Sequence, residues 1–171
     1  MNQKLFKIKF NMKKILAFAG STSSTSINKK LATFAAEGLK DTSFDVIDLR
    51  DFEMPMYSED EEKNGFSENA KKFSSLLDTY DGFILSLAEH NGSYAAAFKN
   101  IFDWSSRIEA TVFRDKPLLL MATSPGGMGG RFVLEAGTQK FSRMGAKELI
   151  SFSFPNFHDN FKEGEIIHKD L

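Results

Sequence analysis

Cysteine is absent from the 171 residues, which excludes disulfides, thiol nucleophiles, thiolate-bound zinc and iron–sulfur clusters together. The three histidines, His90, His158 and His168, are scattered without metal-ligand spacing, so no metal site is expected. There is no basic excess either. Lys plus Arg number 22 against 23 for Asp plus Glu, a net charge of −1, and nothing is left over to condense on nucleic acid or an acidic membrane surface. The apolar runs are far too short to span a bilayer, and Met1 to Asn11 lacks an apolar core of signal-peptide length. A cytoplasmic protein is the simplest reading. What is present is a globular balance, 42% hydrophobic and 26% charged, at a length that suits one domain. The 18 phenylalanines are more than one small domain readily hides.

Strand alternates with helix five times over. Lys14 to Ala19 is a short apolar run, as suits a strand covered on both faces. A helix follows on Ile27, Leu31, Phe34, Ala35 and Leu39. Phe44 to Leu49 reads as a second strand, and the acidic run Glu59 to Glu62 as a solvated loop. Phe66, Ala70, Phe73, Leu77 and Tyr80 trace a second helix, Gly82 to Ala88 a third strand, and Tyr94 to Arg107 a third helix. Pro117 to Thr123 and Glu148 to Phe152 complete five strands, with a helix on Val133, Gly137, Phe141 and Met144 between them, closed by Gly145. Such alternation implies a parallel sheet with right-handed crossovers and helices on both faces. No covering helix follows the fifth strand. The tail shows at best one turn near Ile166 and Ile167, so a partner covers that face or the plan is abbreviated.

In an open parallel sheet, ligands bind outside the carboxyl ends of the strands. Three loops leave those ends with unusual composition. The first, Gly20 to Asn28, carries six consecutive hydroxyl residues, Ser21 to Ser26, directly before a helix. Hydroxyls, backbone N–H groups and a helix N-terminus make a phosphate site without a cation; an N-cap alone would account for Ser26 and not for the other five. The second loop is Glu89 to Ser93. The third, Ser124 to Gly130, has four glycines that let backbone approach a flat ligand. There is no G-x-G-x-x-G and no Walker lysine. No Ser–His–acid arrangement is legible, so no catalytic side chain is named. A phosphorylated planar ligand is the expectation.

The stretches GSTSSTSINKKLA, MPMYSED, AEHNGSYAAAFKNIFDWSSR and KPLLLMATSPGGMGGR resemble the NADPH-dependent FMN reductase family of flavodoxin-like proteins, from about Lys13 to Phe152. The segment with N-G-S followed by K-N-x-x-D-W is the most diagnostic. The resemblance implies a flavodoxin-like three-layer α/β sandwich with strand order 2-1-3-4-5, a final helix short or missing, and a division into an extension (1–11), an FMN-binding domain (12–154) and a tail (155–171). The extension is expected to be disordered, or to add an edge strand through its alternating Phe6, Ile8 and Phe10. The resemblance also implies an enzyme that passes electrons from NADPH or NADH through bound FMN to a small acceptor such as a quinone, azo dye, chromate or flavin.

Carried over residue by residue, the resemblance places the FMN phosphate at Ser21, Ser23, Ser26, Ile27 and Asn28. The isoalloxazine and ribityl then fall along Ala88, Glu89, His90, Asn91 and Gly92, and the ring's polar edge near Ser124, Pro125, Gly126 and Gly127. Ala88 stands where the family usually has Pro, and His90 where it has Tyr. The helix Tyr94 to Arg107 leaves almost no wholly polar face, and relatives associate through it, which points to a homodimer or homotetramer. Two other classes remain open: an FMN-holding electron carrier, although this chain is less acidic than such carriers usually are, and a non-flavin binding protein on an inherited fold.

Overall fold

The segment Lys-Lys-Ile-Leu-Ala-Phe-Ala-Gly forms strand β1 (Lys13–Gly20), whose last five residues are all buried. Alternate residues point to opposite faces. Leu16 and Phe18 enter one core layer and Ala17 the other. The computed structural model describes residues 12–168, so the expectations for residues 1–11 lie outside the described residues. Strands β2 (Thr42–Val46), β3 (Gly82–Leu87), β4 (Lys116–Thr123) and β5 (Ala146–Phe154) join β1 in a sheet of order β2-β1-β3-β4-β5, with every pairing parallel. This is the expected order. It places the reversal of strand order between β1 and β3, where such sheets open a crevice.

The larger core layer packs helices α2 (Glu68–Asp78), α3 (Ala96–Ile108) and α4 (Arg131–Phe141) on Leu16, Phe18, Leu85 and Leu120. Aromatic rings fill it. Phe141 lies 4.9 Å from Phe113 and 5.1 Å from Phe102, centroid to centroid. The abundant phenylalanine therefore goes inside, and among the described residues Phe132 is the one left exposed. The other face carries α1 (Ile27–Glu37) with Leu31, Ala32 and Ala36 against Ala17, Ile84 and Met121.

The missing last helix is replaced from within the chain. After β5, one helical turn (Phe157–Asn160) leads into a hairpin of Phe161–Lys162 with Glu165–Ile166. Phe157, Phe161 and Ile166 close the layer beside α1. The helical turn lies earlier than expected, and Ile166 is in a strand, because Glu163 and Gly164 both take positive φ (52° and 88°) and reverse the chain.

Other boundaries move for local reasons. The second strand stops at Val46, because the Asp48 side chain accepts from the Arg50 N–H and starts a 3₁₀ turn over Leu49–Phe52. The acidic run is a short helix, Glu59–Lys63, capped by Ser58, with its carboxylates at the favourable end of the helix dipole. Tyr94 leaves the third helix for a two-residue hairpin, Glu89–His90 with Ser93–Tyr94. Asn91 and Gly92 at its tip have φ of 52° and 73°, the primed-turn geometry that Asn-Gly favours.

Candidate functional site

Three loops meet at the carboxyl edge of the sheet, as their composition implied. Ser26 ends the first loop as N-cap of α1, its Oγ accepting the Lys29 N–H at 3.2 Å. That bond uses a lone pair and leaves the hydroxyl proton to donate outward. The preceding hydroxyls fold the loop on itself: Ser23 N–H donates to Ser21 Oγ (3.2 Å), Thr25 N–H to Ser23 Oγ (3.3 Å) and Ser26 N–H to the Ser23 carbonyl (3.2 Å). With the Lys29 and Lys30 N–H groups both taken by Ser26, those of Ile27 and Asn28 are the free donors of the first helical turn.

These groups line a cavity of about 220 Å³ shared with the other two loops. Of the residues expected from sequence, Ser21, Ser23, Ser26, Ile27, Asn28, Ala88, Glu89, His90, Ser124 and Pro125 all line it. Asn91, Gly92, Gly126 and Gly127 do not. The first two form the exposed tip of the hairpin, and the second pair lies in the exposed stretch of the third loop. Thr25 and Thr123 line the cavity as well. Thr25 was legible as one of six hydroxyls, and Thr123 as the last residue of a strand.

Two side chains do something that the sequence did not reveal. Asn28 is 4% exposed, and its amide faces the protein. Its Oδ1 accepts from Ser86 Oγ (2.7 Å) and from the Thr123 N–H (3.1 Å), while its Nδ2 donates to the Thr123 carbonyl (3.3 Å). The residue ties α1 to the ends of β3 and β4, and its backbone N–H is what remains for a ligand. Glu89 turns away from the hairpin so that its Oε2 accepts the Val133 N–H at 3.0 Å. Helix α4 starts at Gly130, which has no capping side chain, so Glu89 supplies the missing acceptor at a helix end that attracts negative charge.

The third loop is held in one shape by its later glycines. Gly129 and Gly130 have φ of +57° and +72°, and a Cβ on Gly130 would stand 2.7 Å from that of Ala122. Ser153 Oγ donates to the Gly129 carbonyl at 3.0 Å, and the Asn156 N–H to that of Gly126, also at 3.0 Å. The tail thus braces the loop from behind.

The helix pattern K-N-x-x-D-W has a positional purpose. Asn100 Oδ1 accepts the Tyr57 N–H (2.7 Å) and its Nδ2 donates to the Pro55 carbonyl (3.0 Å), which also accepts from Trp104 Nε1 (2.9 Å). Lys99 pairs with Asp103 one turn on. The segment Met54–Tyr57 is therefore strapped over α3, and Trp104, 1% exposed, is covered by its own chain, with the rings of Tyr57 and Phe66 against it. The apolar circumference of this helix does not by itself require a partner. Nearby, the Arg50 guanidinium, helped by Lys29, holds the Asp48 carboxyl well below the usual carboxylate range despite its partial burial.

Among the described residues no cluster of His, Asp and Glu could hold a metal ion, and no helix is long and apolar enough to cross a membrane.

The model of a family described as NADPH-dependent FMN reductase matches residues 13–159. A 2-hydroxy-1,4-benzoquinone reductase of a Burkholderia species is 35% identical over 68% of this chain and 63% of its own length. An NAD(P)H-dependent FMN reductase of Pseudomonas aeruginosa is 32% identical over 68% of this chain and 62% of its own length. The matched stretch thus spans a little under two thirds of either relative. Among solved structures, the flavoenzyme NAD(P)H:(acceptor) oxidoreductase FerB of Paracoccus denitrificans superposes with a TM-score of 0.72 at 20% identity, covering 93% of this chain and 88% of FerB. That likeness speaks for the fold.

Proposed function

Because the chain belongs to the NADPH-dependent FMN reductase family, we propose that it is an FMN-dependent NAD(P)H oxidoreductase acting on a small acceptor of the quinone or azo class. The observation that carries the reading is the cavity at the β1–β3 crevice. There a loop of hydroxyls, the free N–H groups of a helix N-terminus and two further strand-end loops converge. A phosphate ester fits that donor set, since every group facing the cavity from the first loop is neutral and can donate.

Ser21, Ser23, Thr25 and Ser26 with the Ile27 and Asn28 N–H groups would hold the phosphate. The backbone of Ala88–Asn91 and the Ser124–Gly127 loop would flank the rest of the cofactor. When bound, FMN supplies the capacity to take a hydride from a nicotinamide and hand two electrons to an acceptor. The chain's own part is positioning. Asn28 fixes the spacing between the phosphate loop and the two strand ends. Glu89 is engaged by α4, so it presents backbone and not a carboxylate to an electron-rich ring. The braced glycine loop offers N–H groups, which favour negative charge. His90, exposed on the hairpin, stands where a nicotinamide or acceptor would approach.

A homodimer completes the reading. The Tyr94 hydroxyl is buried without a hydrogen-bond partner among the described residues, and burial pushes the phenol's pKa up. Tyr94 lines a groove between α3 and α4 with Phe102, Ala136 and Met144, apolar surface that a second copy would cover. Anaerobic titration of FMN-reconstituted protein with NADPH tests the function: fast, complete bleaching of the flavin absorbance is expected. Protein that retains no flavin refutes the reading, and flavin that binds but stays oxidised makes the chain a carrier.

A further inference from the structure

An unexplained feature lies on the other side of the phosphate loop, whose Thr25 and Ser26 line both spaces. A groove of about 620 Å³ runs between α1 and the C-terminal tail. Part of its tail wall, Phe161, Glu163 and Gly164, lies beyond the 13–159 span of the family match, so the groove owes its shape to the hairpin that stands in for a helix in this chain. Its lining is ordered along α1. Ser24 and Thr25 stand at the loop end, Lys30 in the first turn, Phe34 in the middle and Glu37 in the last turn. At 1.5 Å rise per residue, Lys30 and Glu37 are about 10 Å apart along the axis.

The chemistry changes sign over that span. Lys29 is committed to Asp48 at 2.7 Å, whereas Lys30 makes no ion pair among the described residues and is exposed. His158 lines the groove from the tail and is also exposed. The middle is aromatic: the Phe34 and Phe161 rings meet edge to face at 5.5 Å, and Phe161 stacks on Phe157 at 4.9 Å. Two carboxylates line the groove, Glu37 on the helix and Glu163 on the hairpin turn.

We propose that this groove binds a purine nucleoside phosphate, with its phosphate at Ser24, Lys30 and His158, its base against the Phe34 and Phe161 rings and its exocyclic amine toward Glu37. A cation beside a hydroxyl suits a phosphate, aromatic rings suit a planar base, and a carboxylate accepts from an amine but not from a carbonyl oxygen. Two sources share this chemistry: the adenosine half of the nicotinamide donor, in which case the inference rests on the function proposed above, and a free adenine nucleotide.

The test is calorimetric titration of FMN-loaded protein with adenosine monophosphate, so that the flavin cavity is filled, with flavin retention read in the same sample. Saturable binding is expected. Lys30→Glu should weaken it at least about tenfold with flavin retention unchanged, since Lys30 does not line the flavin cavity. Inosine monophosphate, which lacks the amine, should bind several-fold more weakly, and Glu37→Gln should narrow that difference. If Lys30→Glu also raises KM for NADPH by the same factor at constant kcat, and the monophosphate competes with NADPH, the donor is the source. If KM is unmoved, a free nucleotide is. Adenosine monophosphate that fails to bind flavin-loaded protein, or binds Lys30→Glu as tightly as wild type, overturns the inference and leaves the oxidoreductase reading standing. Protein that retains no flavin fails the other way.

Discussion

Replacing Asn28 by Ala separates two roles for the residue, a ligand contact and an internal strap. The side chain makes three hydrogen bonds, to Ser86 and to both backbone groups of Thr123. The three residues are 4%, 0% and 2% exposed in that order, so water does not readily replace what is removed. Counting about 1 kcal/mol net for each bond gives about 3 kcal/mol. In a domain of this size each kcal/mol moves the melting temperature by about 2–4 °C, so Tm should fall by about 6–12 °C. The assay is thermal unfolding of cofactor-free protein, followed by the fluorescence of Trp104, which is sealed in the core. Asn28→Asp supplies the control. It keeps the acceptor for Ser86 and the Thr123 N–H but turns the donor toward the Thr123 carbonyl into a second acceptor, and it should lose about as much. A cofactor-free Tm within about 1 °C of wild type, together with weakened FMN binding, would refute the strap and restore the side chain to the ligand.

Three further outcomes follow from other contacts. Asp48→Asn should cost about 1 kcal/mol at pH 7, discounted because Arg50 is half exposed. The Asp48 pKa is depressed in the folded chain, so its contribution is present above the unfolded value of about 3.9 and is lost as pH falls further. Urea midpoints of wild type and variant should therefore converge below about pH 4. Gly130→Ala puts a side chain at φ +72° and 2.7 Å from the Ala122 Cβ. It should cost about 2 kcal/mol or more and lower Tm with or without cofactor; an unchanged melting curve would mean that the loop is not fixed in this shape. Asn100→Ala frees the Met54–Tyr57 segment, so limited proteolysis should cut there faster than in wild type while far-ultraviolet circular dichroism stays the same.

Much of the architecture was legible because the three central strands β1, β3 and β4 are short apolar runs ended by a polar or glycine-rich loop, and buried parallel strands need little else. The three site loops were legible for the same reason: their hydroxyls and glycines sit where strands stop. What escaped depends on partners distant in sequence. Asn28 looks like a loop donor until Ser86 and Thr123 are brought beside it from 58 and 95 residues away. Glu89 looks like a ligand-facing acid until α4 needs a cap. Trp104 suggests an interface until Pro55 and Tyr57 fold over it. The Asn91–Gly92 hairpin was available from its dipeptide alone and was read as loop, because the strands flanking it are only two residues long.

The ring-packed tail gives this protein two kinds of protection in one place. Its backbone is held by a two-pair hairpin and one helical turn, while Phe157 is 2% exposed and Phe161 packs against three other rings. Amide protons there should exchange with solvent while those of the sheet's centre have barely begun to. Such a cover is fastened like a snap and not like a seam. It can lift as a unit without disturbing the ladder of strands beneath, and when it lifts, the brace behind the glycine loop lifts with it.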